Sequence, residues 1–309
     1  MSTERGHLRN GALLPSCQHR SAGFTLVEMV MVIVITGVIA ASLVIFLVPA
    51  ANAYFDSRRR ADLVNQADTA LRRMARDIRM AVPNSIRSPN NQCFELVPTT
   101  TGGRYRMAPN TAVDATADCS VAANCSASLD TSQPSTGFDV LSPLSVTPAV
   151  GDWVVIGNQD ANEVYSGATR AAITAVATPD PAFGMYRISF NATQFPVGYE
   201  GGRFSVVANN DGSQAVFYVC DNASGVDASG NGTGTLYRLD RPFTSAYPAS
   251  CPATTGAAVL AKHVRSCSIV YSPSTGSTQQ RGFVWMQIDL AQRNETVSLS
   301  YGAHVDNVP

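Results

Sequence analysis

The sequence predicts an α+β protein in which a long N-terminal helix carries a head built mainly of antiparallel sheet. Three observations predict it. An apolar run fills 24–48, an amphipathic stripe continues to residue 82, and after Pro83 short β-type runs alternate with Gly, Ser, Thr, Asn and Pro. The expected organisation is 1–23, 24–82 (of which 24–48 crosses a membrane) and 83–309 as a β-rich globular head.

Residues 1–22 are polar and mildly basic, with Arg5, Arg9 and Arg20 against Glu4. That bias holds the N-terminus in the cytoplasm and sends the chain beyond residue 48 across the membrane. The run behind it holds 25 residues with Glu28 as its single ionisable side chain, enough for a spanning helix of roughly 20. It is too long for a secretory signal core, and the small residues Ser21-Ala22-Gly23 precede it instead of trailing it. A carboxylate inside such a run costs on the order of 2.5–3.5 kcal/mol. Either Glu28 has a task or the segment is a plain anchor with a chance glutamate.

From 50 to 82, Leu63, Ala67, Ala70, Leu71, Met74, Ile78 and Ala81 recur at steps of three and four, which makes one face of a helix apolar. Arg58, Arg59, Arg60, Arg72, Arg73, Arg76 and Arg79 occupy the other faces with Asp62, Asp68 and Asp77. They read as a solvated face whose charges neighbouring subunits match, in preference to a nucleic-acid or lipid patch. Pro49 can kink or loosen the helix, and Pro83 ends it.

In the head, strands are expected at 94–97, 103–107, 153–156, 172–177, 186–190, 203–207, 215–219, 235–239, 268–271, 282–290 and 296–305. The last two form a hairpin across Ala291–Glu295. Residues 256–263 are helix or strand, and periodicity leaves that open. Residues 109–137 and 221–234 read as surface loops.

Gly23-Phe24-Thr25-Leu26-Val27-Glu28 ahead of the apolar run resembles the prepilin processing motif of type IV pilins and type II secretion pseudopilins. The resemblance implies cleavage between Gly23 and Phe24 by a prepilin peptidase, N-methylation of Phe24, and Glu28 as fifth residue of the mature chain. There Glu28 meets the α-amino group of a neighbouring subunit during assembly. Residues 68–79 and 83–87, Gly102-Gly103-Arg104-Tyr105-Arg106 and the terminal His304-Val305-Asp306-Asn307-Val308-Pro309 are similar to minor subunits of mannose-sensitive haemagglutinin (MSHA) pili. A chain of 309 residues exceeds the major pilins and implies a minor subunit. Implied partners are other minor and major pilins, the pilus assembly platform and the bacterial inner membrane, with the head in the periplasm.

Cleavage removes Cys17, and the six remaining cysteines read as disulfides of an exported chain. Cys119–Cys125 would staple their own loop and Cys220–Cys251 would bracket a Gly/Asn/Ser-rich segment. Cys93–Cys267 would then tie the start of the head to its late strands. Zinc on Cys251, His263 and Cys267 has no matching spacing. Nor does the stretch from Asp221 through Asp227 to Gly234 carry the ligand spacing of a calcium loop.

The chain lacks His-Glu-x-x-His, Gly-x-Ser-x-Gly and a Walker loop. Gly102-Gly103-Arg104 and Gly201-Gly202-Arg203 read as turn glycines. His263 and His304 have no nucleophile beside them in the pattern. No catalytic residue, metal or cofactor is expected, and nothing demonstrates nucleic-acid binding. The expected function is that of a non-enzymatic minor pilin in initiation or at the tip of an MSHA-type pilus. A type II secretion minor pseudopilin shares every N-terminal feature, and a membrane-anchored periplasmic binding module or adhesin would need neither Gly23 nor Glu28.

Overall fold

The structure is a computed structural model and describes residues 23–197, 201–273 and 281–306. The expected leader up to residue 22 and the last three residues lie outside the described residues.

Helix α1 spans Leu26–Arg79 and holds Pro49 within it. From residue 23 through Tyr54 the chain is exposed throughout, and α1 is the one described helix long and apolar enough to cross a membrane. The hydroxyls of its apolar part satisfy themselves along the backbone: Thr36 donates to Val32 O at 2.7 Å and Ser42 to Val38 O at 2.8 Å. That arrangement suits a helix in hydrocarbon, where no water serves a free hydroxyl.

The head begins near Asp56. Leu63, Ala67, Ala70, Leu71, Met74, Ala75 and Ile78 are buried, which is the predicted stripe with Ala75 added, except that its last member, Ala81, is buried beyond the end of the helix. They cover an antiparallel sheet of β1 (Arg87–Asn90), β2 (Cys93–Leu96), β9 (Ala215–Asp221), β10 (Gly234–Arg241), β11 (Ala258–Ser272), β12 (Arg281–Gln292) and β13 (Glu295–Asp306). The sheet order is β1-β2-β9-β10-β11-β12-β13. Small Ala67, Ala70 and Ala75 let the helix lie close on Phe94, Tyr218, Met286 and Ile288 in one apolar cluster. The last hairpin forms as predicted, and its turn places Arg293 and Asn294 at φ 50° and 67°. Positive φ at both central positions is what a two-residue type I′ connection requires.

Between β2 and β9 the chain inserts a second set of strands: β3 (Thr101–Arg104), β4 (Ser135–Val140), β5 (Trp153–Val155), β6 (Arg170–Ala177), β7 (Tyr186–Thr193) and β8 (Arg203–Val207). Their order is β3-β8-β5-β6-β7-β4. The two outer strands meet, because Tyr105 bridges Val140 and the Leu141 N–H donates to Arg104 O at 2.8 Å. The sheet therefore closes on itself as a six-stranded barrel, which removes the exposed edges an open sheet would present. Phe138 fills its centre, with ring centroids of Phe204, Tyr105 and Phe190 at 5.1, 5.5 and 5.9 Å. The short helices are α2 (Thr111–Asp114) and α3 (Glu163–Ser166).

Several expectations change. β1 and β4 were not expected, and β4 starts inside the expected loop 109–137. Residues 256–263 resolve to strand, since β11 begins at Ala258. Helix α1 stops at Arg79, and the chain then turns into the sheet, with the Val82 N–H donating to Val97 O at 2.8 Å.

Two of the three expected disulfides are corrected. Cys119–Cys125 is present, but Cys93 is bonded to Cys251 and Cys220 to Cys267, with Cα separations of 5.8 and 6.5 Å. Strand alternation is the reason. Cys93 lies opposite Val219, so the next residue, Cys220, points to the other face of the sheet. Cys93 shares the face away from the helix with Phe217, Val219 and Cys251, whereas Cys220 and Cys267 lie on the helix side. The expected pairs would each have had to cross the sheet.

Sheet and barrel are joined around Arg87, which is fully buried. It pairs with Glu95 at 2.5 Å and lies 3.4 Å over the ring of Tyr165. It also donates to Asn162 Oδ1 at 2.8 Å and to Thr244 O at 3.1 Å. Burial pushes the Glu95 carboxyl above its ordinary pKa, against the opposing pull of Arg87 and Arg241. The Tyr165 hydroxyl donates to Ser85 O at 2.9 Å.

Candidate processing and assembly site

The site is the start of the chain's long helix. Thr25 precedes the first helical residue, and its Oγ1 accepts from the Glu28 N–H at 3.2 Å. This is half of a Thr-x-x-Glu capping box. It fixes where the helix begins, and it places Glu28 in the first turn, where the helix dipole favours a negative charge. The capping signal is legible in Thr25-Leu26-Val27-Glu28, and the expectations for Glu28, which concern its carboxylate, do not include the role of its N–H.

Around Glu28 the helix offers only apolar neighbours, and Phe24, Leu26, Val27, Met29 and Val30 are exposed. Glu28 is exposed as well, so its carboxylate is available to a group from outside the chain. At Gly23 a Cβ would meet nothing within 4 Å. The fold of this chain does not require glycine there, so any requirement for it belongs to a processing enzyme.

The remaining candidates are engaged elsewhere. Arg60 pairs with Glu295 at 2.8 Å, Arg72 with Asp68 at 2.7 Å, and Arg59 with Asp56. Arg79 donates to the Tyr301 hydroxyl at 3.1 Å. Much of the arginine-rich face is thus tied down within the head. In the loop at 221–234, Asp227 accepts from the Ser229 and Asn231 N–H groups at 2.8 Å. Those bonds, the one from Asn231 first, hold its carboxyl below the usual range. His263 sits in β11 at φ 59°, where the pairing with β10 shifts register. Among the described residues no group of three His, Cys, Asp or Glu side chains is placed to hold a metal.

Residues 18–44 match the prokaryotic N-terminal methylation motif, the prepilin signal of type IV pilin-like proteins. With the long apolar helix and the antiparallel sheets behind it, the chain has a pilin-like α+β architecture, and the motif supports a type IV pilin- or pseudopilin-like protein. The motif implies processing by a prepilin peptidase and interaction with other pilins. No curated protein and no solved structure matches the chain.

Proposed function

We propose that the protein is a non-enzymatic minor pilin that takes part in initiation or at the tip of an MSHA-type pilus. On this reading its counterpart is the MshO subunit, a relative of the PilW and type II secretion J-type minor subunits. The chain is cut between Gly23 and Phe24, Phe24 is N-methylated, and residues 24–48 anchor it in the inner membrane with the head in the periplasm. The observation that carries this reading is Glu28, five places after Gly23 in the otherwise uncharged run 24–48, within a segment that matches the methylation motif.

Intact-mass measurement and N-terminal sequencing of the membrane-extracted protein test it. The mature chain should begin at N-methylated Phe24. Gly23→Leu should leave the fold intact, since the site is open, yet block cleavage by obstructing close backbone approach of the peptidase. A wild-type protein that keeps residues 1–23 refutes the reading. Neighbouring genes separate the two filament systems: pilus genes support the MSHA assignment, and secretion genes transfer the role to a pseudopilus.

A further inference from the structure

The two Gly-Gly-Arg triplets are brought together by the barrel. Strand β3 pairs with β8 so that Arg104 stands directly opposite Arg203. Like charges facing each other across a ladder destabilise it. Among the described residues neither guanidinium has an ion-pair or hydrogen-bond partner, although the chain carries Asp and Glu enough to supply one. Both arginines line a cavity of about 380 Å³ together with Arg79 from the end of α1. Among the described residues no carboxylate lines this cavity. Ser205 adds a hydroxyl, and Val155 and Phe204 add apolar surface.

The glycines keep the cleft open. At Gly102 a Cβ would come within 2.7 Å of Phe204 O, and at Gly103 within 2.4 Å of Ser142 Oγ. Gly202 holds φ 54° with Tyr105 O 2.9 Å from the place of its Cβ. Side chains there would displace the ladder that sets the two arginines side by side. The triplets are therefore needed to build the cleft, which goes beyond the turn role the sequence suggested for them.

We propose that Arg104 and Arg203 form a binding site for the oxyanion group of a small ligand, a phosphate, sulfate or carboxylate, with Arg79, which keeps its bond to Tyr301, adding positive charge to the same cleft. Paired guanidiniums present forks of N–H donors that match such groups in two-pronged geometry. The volume falls in the range of ligand pockets, roughly 300–1,000 Å³, so the cleft holds more than the bare ion. This site is separate from the processing segment and does not depend on which filament the chain joins.

The test uses the full chain in a non-ionic detergent at fixed ionic strength. Calorimetric titration is run with inorganic phosphate, sulfate and glucuronate, with glucose as the uncharged control. Saturable binding of at least one oxyanion and none of glucose is expected. Arg104→Gln/Arg203→Gln should bind at least about tenfold more weakly, the loss expected from one charge-assisted hydrogen bond. Arg104→Lys/Arg203→Lys, which keeps the charge without the fork, should fall between. Arg73→Gln, on the exposed helix face, should bind as the wild type does. The double Gln variant should also unfold at an unchanged or higher temperature, because a repulsion has been removed. Phosphate and sulfate binding without glucuronate assigns a tetrahedral oxyanion, and the converse assigns a carboxylate; either supports the site. No saturable binding of any of the three, or binding that survives in the double Gln variant, overturns it.

Discussion

Glu28 carries the strongest demand at the level of single residues. A carboxylate among exposed Val27, Met29 and Val30 is costly in hydrocarbon unless a positive group meets it. A cleaved α-amino group on an adjacent subunit supplies that group, and Thr25 holds the helix start in place beside it. If Glu28 served insertion alone, Glu28→Leu would be neutral or helpful. For an assembly role, the Leu variant should insert and be processed, yet enter pilus complexes poorly. Removing one side of a desolvated pair costs about 3–5 kcal/mol. Glu28→Asp should be intermediate. Co-purification of each processed variant with other pilins, measured against its membrane level, decides; normal incorporation of Glu28→Leu would leave only the anchor.

Elements decide the cysteine chemistry. The strands β2 and β9 set Cys93 and Cys220 on opposite faces of one sheet, and each finds its partner on its own side. Non-reducing peptide mapping should recover Cys93 with Cys251, Cys220 with Cys267, and Cys119 with Cys125. Replacing either member of the Cys93 or Cys220 bridge by Ser should lower stability by about 2–4 kcal/mol in chemical denaturation. A peptide joining Cys220 to Cys251 would contradict the register of β2 against β9. Helix α1 is also an element with two surfaces, one buried on the sheet from Leu63 to Ile78 and one wholly exposed through Tyr54. The hydrophobic effect acts on both, but the second has no counterpart among the described residues.

Across the whole molecule, the barrel at 101–207 interrupts a sheet that is otherwise continuous from β2 to β9. Arg87 ties the two together through Glu95 in β2, Asn162 and Tyr165 at α3, and the carbonyl of Thr244. Arg87→Met should therefore cost about 3–5 kcal/mol, since Glu95 is left buried without its closest partner. Arg87→Met/Glu95→Leu should recover much of the loss. The penalty should depend on pH. The folded pKa of Glu95 is already raised by burial, and losing Arg87 removes part of the opposing pull. A raised carboxyl favours the native state fully below the unfolded value of about 4.3, and that benefit is lost as pH rises through the folded pKa. Denaturation of Arg87→Met should thus show a smaller deficit at about pH 4.5 than at about pH 7.5. A deficit that is constant, or larger in acid, would show that Glu95 is not its source.

The sequence by itself determined the helix, its apolar stripe, most strands and the turn after β12, because these depend on local periodicity and on residues near in the chain. Arg203–Val207 was legible to the residue. The segment from Gly23 to Glu28 lies within residues 18–44, which match the methylation motif, a signal carried by the order of residues alone. β1 escaped because Arg87-Ser88-Pro89-Asn90 looks like a turn, and its strand geometry comes from pairing with β2. β4 escaped because Ser135-Thr136-Gly137 is polar and flexible, and β7 imposes its conformation. Only the tertiary structure decided the barrel's closure, the disulfide partners, the burial of Arg87 and the meeting of Arg104 with Arg203. Each depends on which face of a strand a side chain takes and which distant strand lies beside it, and a one-residue change of register reverses every such outcome.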